Sequence, residues 1–149
     1  MKEHLTQFLR YEQWANKTIL DALKQLLVVD EKTLDIMAHI LLAQAVWYTR
    51  MVGQPSPKIW DKKTLDELYK MWEENNRALD MYFDKLSEKD FFQNIEYKNS
   101  KGDSFHNMVK DIVTHQFNHS TYHRGQIVER LKGKLPQMPV TDFIAFLRK

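Results

Sequence analysis

Six histidines and no cysteine frame the chemistry open to this chain of 149 residues. Without thiolates, any metal must be held by nitrogen and oxygen, and any sulfur chemistry must use a thiol brought from outside. Three of the histidines, His115, His119 and His123, recur at every fourth position of HQFNHSTYHRGQI. On an α-helix such positions are offset by about 40° and rise about 6 Å, so neighbouring imidazoles can share one ion. His119 and His123 also continue a row through Met108, Ile112, Ile127 and Leu131, which reads as the apolar stripe of that helix. A lone histidine on such a stripe is ordinarily a core residue bonded to its neighbours. Two in succession are harder to satisfy, because each ring has two nitrogens to partner. A metal relieves this by taking one nitrogen from each.

A third ligand must come from another element, and His39, midway along IMAHILLAQAVWY, is the candidate. Its plainer role is a buried histidine bonded to Asp35 or to a backbone carbonyl. His4 and His106 read as solvated. Spacing alone permits a His115–His119 pair, but Asp111 one turn earlier and Gln116 adjoining place His115 outside the ligand set, as a pocket-lining residue. The His-Glu-x-x-His zinc-protease pattern fails, since Ser120 stands where the general-base glutamate would be. Asp35 and Asp111 are ordinary helix-side carboxylates or acceptors orienting His39 and His115.

Arg124, Gly125 and Gln126 follow the last histidine. A glycine inside a helix costs about 1 kcal/mol relative to alanine, so Gly125 implies a close approach there. Either a neighbouring helix packs tightly against it, or a ligand needs the space. Trp60, in PSPKIW, is placed to be a pocket rim, a lid or a dimer contact.

To bring these side chains together, the chain must hold two helices face to face. Residues 2 to 27 carry Leu5, Phe8, Leu9, Trp14, Ile19, Leu23 and Leu26 at helical spacing. Asp30 can cap a second helix running to about Val52, apolar almost all round and so packed between neighbours. Gly53 and the PSP turn stop it. Thr64 and Glu67 form a capping box for a third helix ending near Leu86. Residues 87 to 103 read as irregular, with a short strand or turn pair around Lys101 and Gly102. Asp103 or Ser104 then caps a fourth helix closing at Gly133. The tail PVTDFIAFLRK reads as a short docked helix capped by Thr141 or Asp142. The expected fold is a single all-α domain over residues 1–149, an up-down four-helix bundle with an irregular 3–4 connection.

The net charge of +2 and the lack of a basic run interleaved with aromatics argue against nucleic acid. The amino terminus has no signal-peptide core, and the most apolar stretch is too short to span a bilayer. A cytoplasmic protein is expected.

HQFNHSTYHRGQI resembles the signature of the DinB/YfiT-like superfamily of metal-binding four-helix bundles. The likeness extends over YEQWAN, AHILLAQAVWYTR, NIEYKNSKGD and PVTDFIAFL. It implies that His39, His119 and His123 are the metal ligands. The family often has an acidic residue where this chain has Gln44, so a carboxylate role there does not carry over. Relatives include S-transferases that attach a small thiol such as bacillithiol, and a mycothiol-dependent isomerase.

Three neutral imidazoles would leave a divalent ion with open positions, the layout of a catalytic site. Zinc is the default, with nickel, iron or manganese compatible with the ligand type. The expected function is a metal-dependent thiol S-transferase or hydrolase-like enzyme acting on a small molecule, as a homodimer. The alternative is a non-catalytic, stress-related bundle whose ion fixes the core.

Overall fold

The computed structural model describes residues 1–99 and 101–148; Ser100, within the NIEYKNSKGD motif, and Lys149, at the end of the tail, lie outside the described residues. Four long helices pack into the expected bundle: α1 (Lys2–Lys24), α2 (Glu31–Met51), α3 (Leu65–Lys85) and α4 (Val109–Leu131). A 3-10 turn (Glu88–Phe92) and a hairpin of β1 (Asn94–Lys98) and β2 (Ser104–Met108) link α3 to α4. A short α5 (Phe143–Leu147) ends the chain. Among the described residues no helix is long and apolar enough to cross a membrane.

Each of α1 and α2 lies beside both α3 and α4. One core cluster joins Leu20, Leu23, Ile36, Leu68 and Ile127; the other joins Leu5, Met51, Phe83 and Ile112. The amino-terminal ends of α2 and α3 therefore share one end of the bundle. The alternation of direction is interrupted once, between these two helices. The link between them, read from sequence as a stop at Gly53 and the PSP turn, is a strap that returns along α2. Lys62 pairs with Glu31 at the start of α2, and the carbonyl of Ile59 meets His39 half-way along it.

Local chemistry sets most boundaries as expected. The Asp30 side chain accepts from Thr33 N at 3.1 Å and also takes an ion pair from Arg130, which ties α2 to α4. The capping box on α3 is formed, with Thr64 N donating to Glu67 Oε2 at 2.7 Å and Glu67 N to Thr64 Oγ1 at 3.3 Å. Thr64→Ala is expected to cost about 1 kcal/mol of stability, read as a lower urea midpoint at unchanged slope.

Two boundaries and one cap differ. α1 ends at Lys24, and Leu27 and Val28 are left exposed. Neither Asp103 nor Ser104 caps α4, because the hairpin intervenes. Lys101 N and Asp103 N both donate to Asn99 Oδ1, Asn99 Nδ2 donates to the Asp103 carboxylate, and Gly102 supplies the left-handed φ of 90°. The ladder then runs to the Asn94–Met108 pair, so α4 starts only at Val109. Asp142 occupies the N-cap position of α5 without a side-chain cap bond. α5 docks instead through rings, Phe143 stacking on Phe8 at 4.4 Å and Phe146 lying 5.5 Å from Trp14.

Candidate metal centre

The half-way point of α2 faces the middle of α4, and three imidazoles converge there. Ring centroids are 4.9 Å apart for His39 and His119, 4.7 Å for His39 and His123, and 4.5 Å for His119 and His123. One ring nitrogen from each lies within 4.8 Å of the others. His39 Nε2 and His119 Nε2 are 3.1 Å apart. Two nitrogens bound to one tetrahedral zinc at 2.0–2.1 Å would stand roughly 3.3 Å apart, so the separation suits a shared ion.

The outer nitrogens support the same orientation. His39 Nδ1 donates to the Ile59 carbonyl at 3.1 Å, and His123 Nδ1 to Gln126 Oε1 at 2.8 Å. Each bond selects the tautomer that leaves Nε2 with a free lone pair, as metal-binding histidines require. Trp60 lies flat on His39, at 3.8 Å and 9° between planes, and forms a half-exposed roof. Trp60 also lines the cleft beside His123, which is the pocket rim among its expected roles. Asp35 is not the partner of His39; the strap carbonyl is.

Burial, with the neighbouring imidazoles His123, His39 and His115 adding to it, pushes the His119 pKa down to about 4. Burial also lowers His39, against the pull of the Ile59 carbonyl. Both rings are thus kept neutral at pH 7, the protonation state of a ligand. Without metal, the unfolded chain protonates His119 near 6.5 while the folded chain resists until about 4. Between those values the unfolded state holds more protons, so stability must fall as pH drops through that window. Urea midpoints in chelator should be flat above about pH 6.5 and decline below it. His119→Ala should make the decline shallower; an unchanged slope would refute the depressed pKa.

His119 and His123 do not sit in the centre of the apolar stripe. The buried row of α4 is Val109, Ile112, Val113, Gln116, Phe117, Ser120, Arg124, Ile127 and Leu131, and Met108 belongs to β2. The two histidines are half-buried at the margin of that row, where a metal can be reached from outside. His115 is exposed, edge-on to Trp47 at 5.4 Å, and lies outside the cluster. Gly125 is exposed, and a methyl group there would meet nothing within 4 Å, so close helix packing is not its reason. It borders a cleft of about 660 Å³ with Trp60, Tyr122, His123, Gln126 and Lys32. A second cavity, of about 870 Å³, lies between α1, α3 and the tail, and no histidine lines it.

Sequence reasoning missed the polar core behind the histidines. Arg124 and Glu12 are both buried and paired at 2.7 Å. Arg124 also donates to Asn16 Oδ1 at 2.8 Å and to Thr121 Oγ1 at 2.9 Å. Gln44 Nε2 donates to Glu12 Oε1 at 3.2 Å, so this α2 amide serves a carboxylate on α1.

The family model of the DinB family matches residues 1–134. The chain belongs to the DinB family. No curated protein matches it. This DinB chain has a three-histidine cluster that could hold a metal ion.

Proposed function

We propose that this DinB protein is a metal-dependent enzyme in which His39, His119 and His123 hold one divalent ion, zinc by default, that activates a small thiol or water against an electrophile. The convergence of three imidazole nitrogens within 4.8 Å, with no cysteine or carboxylate joining them among the described residues, carries the reading. Such a donor set leaves coordination positions for substrate. A bound ion would supply Lewis acidity, lowering the pKa of a water or thiol that reaches it. The protein's own contribution is orientation. The Ile59 carbonyl and Gln126 fix two rings, Trp60 roofs the site, and the cleft at Gly125 admits a small molecule.

The non-catalytic alternative requires a closed, dry site. The half-buried edge of His123 on an open cleft favours the enzyme. Protein purified without an affinity tag should contain about one transition metal per chain by mass spectrometry. The loaded protein is then screened with small thiols against chlorinated and epoxide substrates, and with hydrolysable esters. Inactivity across all of these would move the assignment to the non-catalytic bundle.

A further inference from the structure

Four buried side-chain atoms have no hydrogen-bond partner among the described residues: Gln116 Nε2, His119 Nδ1, Ser120 Oγ and Arg124 Nε. All belong to one stretch of α4. Gln116, Ser120 and Arg124 follow one another at single turns on its most buried row, each 1% exposed or less. The rise between them is about 6 Å, the span of two hydrogen bonds made through one water. His119 is a helical neighbour of both Gln116 and Ser120.

The chemistry of the four atoms is lopsided. Gln116 Nε2 and Arg124 Nε are donors. His119 Nδ1 carries the ring proton and donates when Nε2 gives its lone pair to a cation. In the metal-free chain His119 Nε2 donates to His39 Nε2, because His39 Nδ1 donates to Ile59, and His119 Nδ1 accepts. In neither state do the four atoms satisfy one another. Arg124 has already committed its terminal nitrogens to Glu12, Asn16, Tyr11 and Thr121. A group that can both donate and accept must therefore lie between the four atoms, and ordered water is the usual one in protein interiors. Roughly one buried water per 27 residues is ordinary, or about five for this chain.

We propose that a file of internal waters runs along the buried face of α4, joining His119 Nδ1 to the Glu12–Arg124 ion pair. Gln116 and Ser120 are then positioning residues: through these waters they hold the outer nitrogen of His119 and so fix the direction of its metal-facing lone pair. Outer nitrogens of metal-bound histidines normally have such a partner. Ile59 and Gln126 supply it for the other two rings. The waters do not depend on the metal assignment; the positioning role rests on His119 being a ligand.

Two measurements on the full chain test this. A high-resolution crystal structure of metal-free protein is expected to show ordered water within hydrogen-bond distance of at least two of the four atoms. A dry face, with those atoms closed onto protein groups, overturns the file. The zinc dissociation constant is then measured by chelator competition for Ser120→Ala, Gln116→Met and Ser120→Thr, with metal-free melting recorded beside it. Ser120→Ala and Gln116→Met should weaken zinc binding about tenfold or more, and Ser120→Thr should restore it, with metal-free melting little changed. Unchanged zinc affinity in both variants overturns the positioning role; if Ser120→Ala does not fold, Gln116→Met decides. A wild-type chain that binds no zinc counts against the metal reading instead, and the crystal structure still judges the waters.

Discussion

Alanine at His39, His119 or His123 is expected to abolish stoichiometric metal binding and the chelator-sensitive part of the protein's stability. Each substitution removes one of three nitrogens that converge within 4.8 Å, and no other histidine or carboxylate joins the cluster among the described residues. Metal that binds only the folded state stabilises it by roughly 4 kcal/mol at a free concentration a thousand times Kd. For a chain of this size that corresponds to roughly 10 °C in melting temperature. Wild-type protein should lose about that much on adding chelator, and the three variants almost nothing. His115→Ala should keep both ion and response, since that ring is exposed and packs on Trp47. Metal stoichiometry with melting curves in and out of chelator reads all four cases. Loss of the ion in His115→Ala alongside its retention in His123→Ala would refute the ligand assignment.

The histidine cluster was legible because its signal is local. Spacing of four on one helix places His119 and His123 side by side whatever surrounds them. His39 was legible for a different reason, as the histidine of the most apolar helix, and the family likeness selected the same residue. The strap was not legible. Nothing in GQPSPKIW says that its backbone returns along α2, because that course is set by where α3 finds its groove and not by local propensity. The Ile59 carbonyl, like any backbone atom, leaves no residue-type signal.

The polar core left a trace that hydrophobic counting passes over. Along α1 the buried row is Leu5, Leu9, Glu12, Asn16, Ile19 and Leu23, so two polar residues occupy core positions in helical register. Arg124 does the same on α4, one residue beyond the margin that carries His123. A carboxylate and a guanidinium each standing where an apolar residue belongs are a pair waiting to be matched across two helices. The buried stripe of α4 is hidden from the sequence for the same reason. Gln116, Ser120 and Arg124 are surface residues by type, so residue type points to a row through the histidines instead.

Glu12→Ala is expected to destabilise the fold by about 3–5 kcal/mol, because it leaves the Arg124 guanidinium buried without its counter-charge. Arg124 is 1% exposed and Glu12 is fully enclosed, and a neutral water in the space left by the carboxylate would not restore the lost counter-charge. The loss spreads further, since Asn16 and Gln44 also donate to the Glu12 carboxylate and would be left with unpaired amide hydrogens. Arg124→Met should likewise strand the carboxylate. The double variant Glu12→Leu with Arg124→Met removes both charges while keeping volume in the core, and replacing a whole buried pair often costs little. It should therefore be more stable than either Glu12→Leu or Arg124→Met alone, although below wild type because the Asn16 and Gln44 amides remain unsatisfied. Urea unfolding of the four proteins gives the coupling directly. A Glu12→Ala loss under about 1 kcal/mol, or a double variant no better than its parents, would show that the ion pair does not key α1 to α4. The helix that aims His119 and His123 at His39 would then be held by its apolar contacts alone.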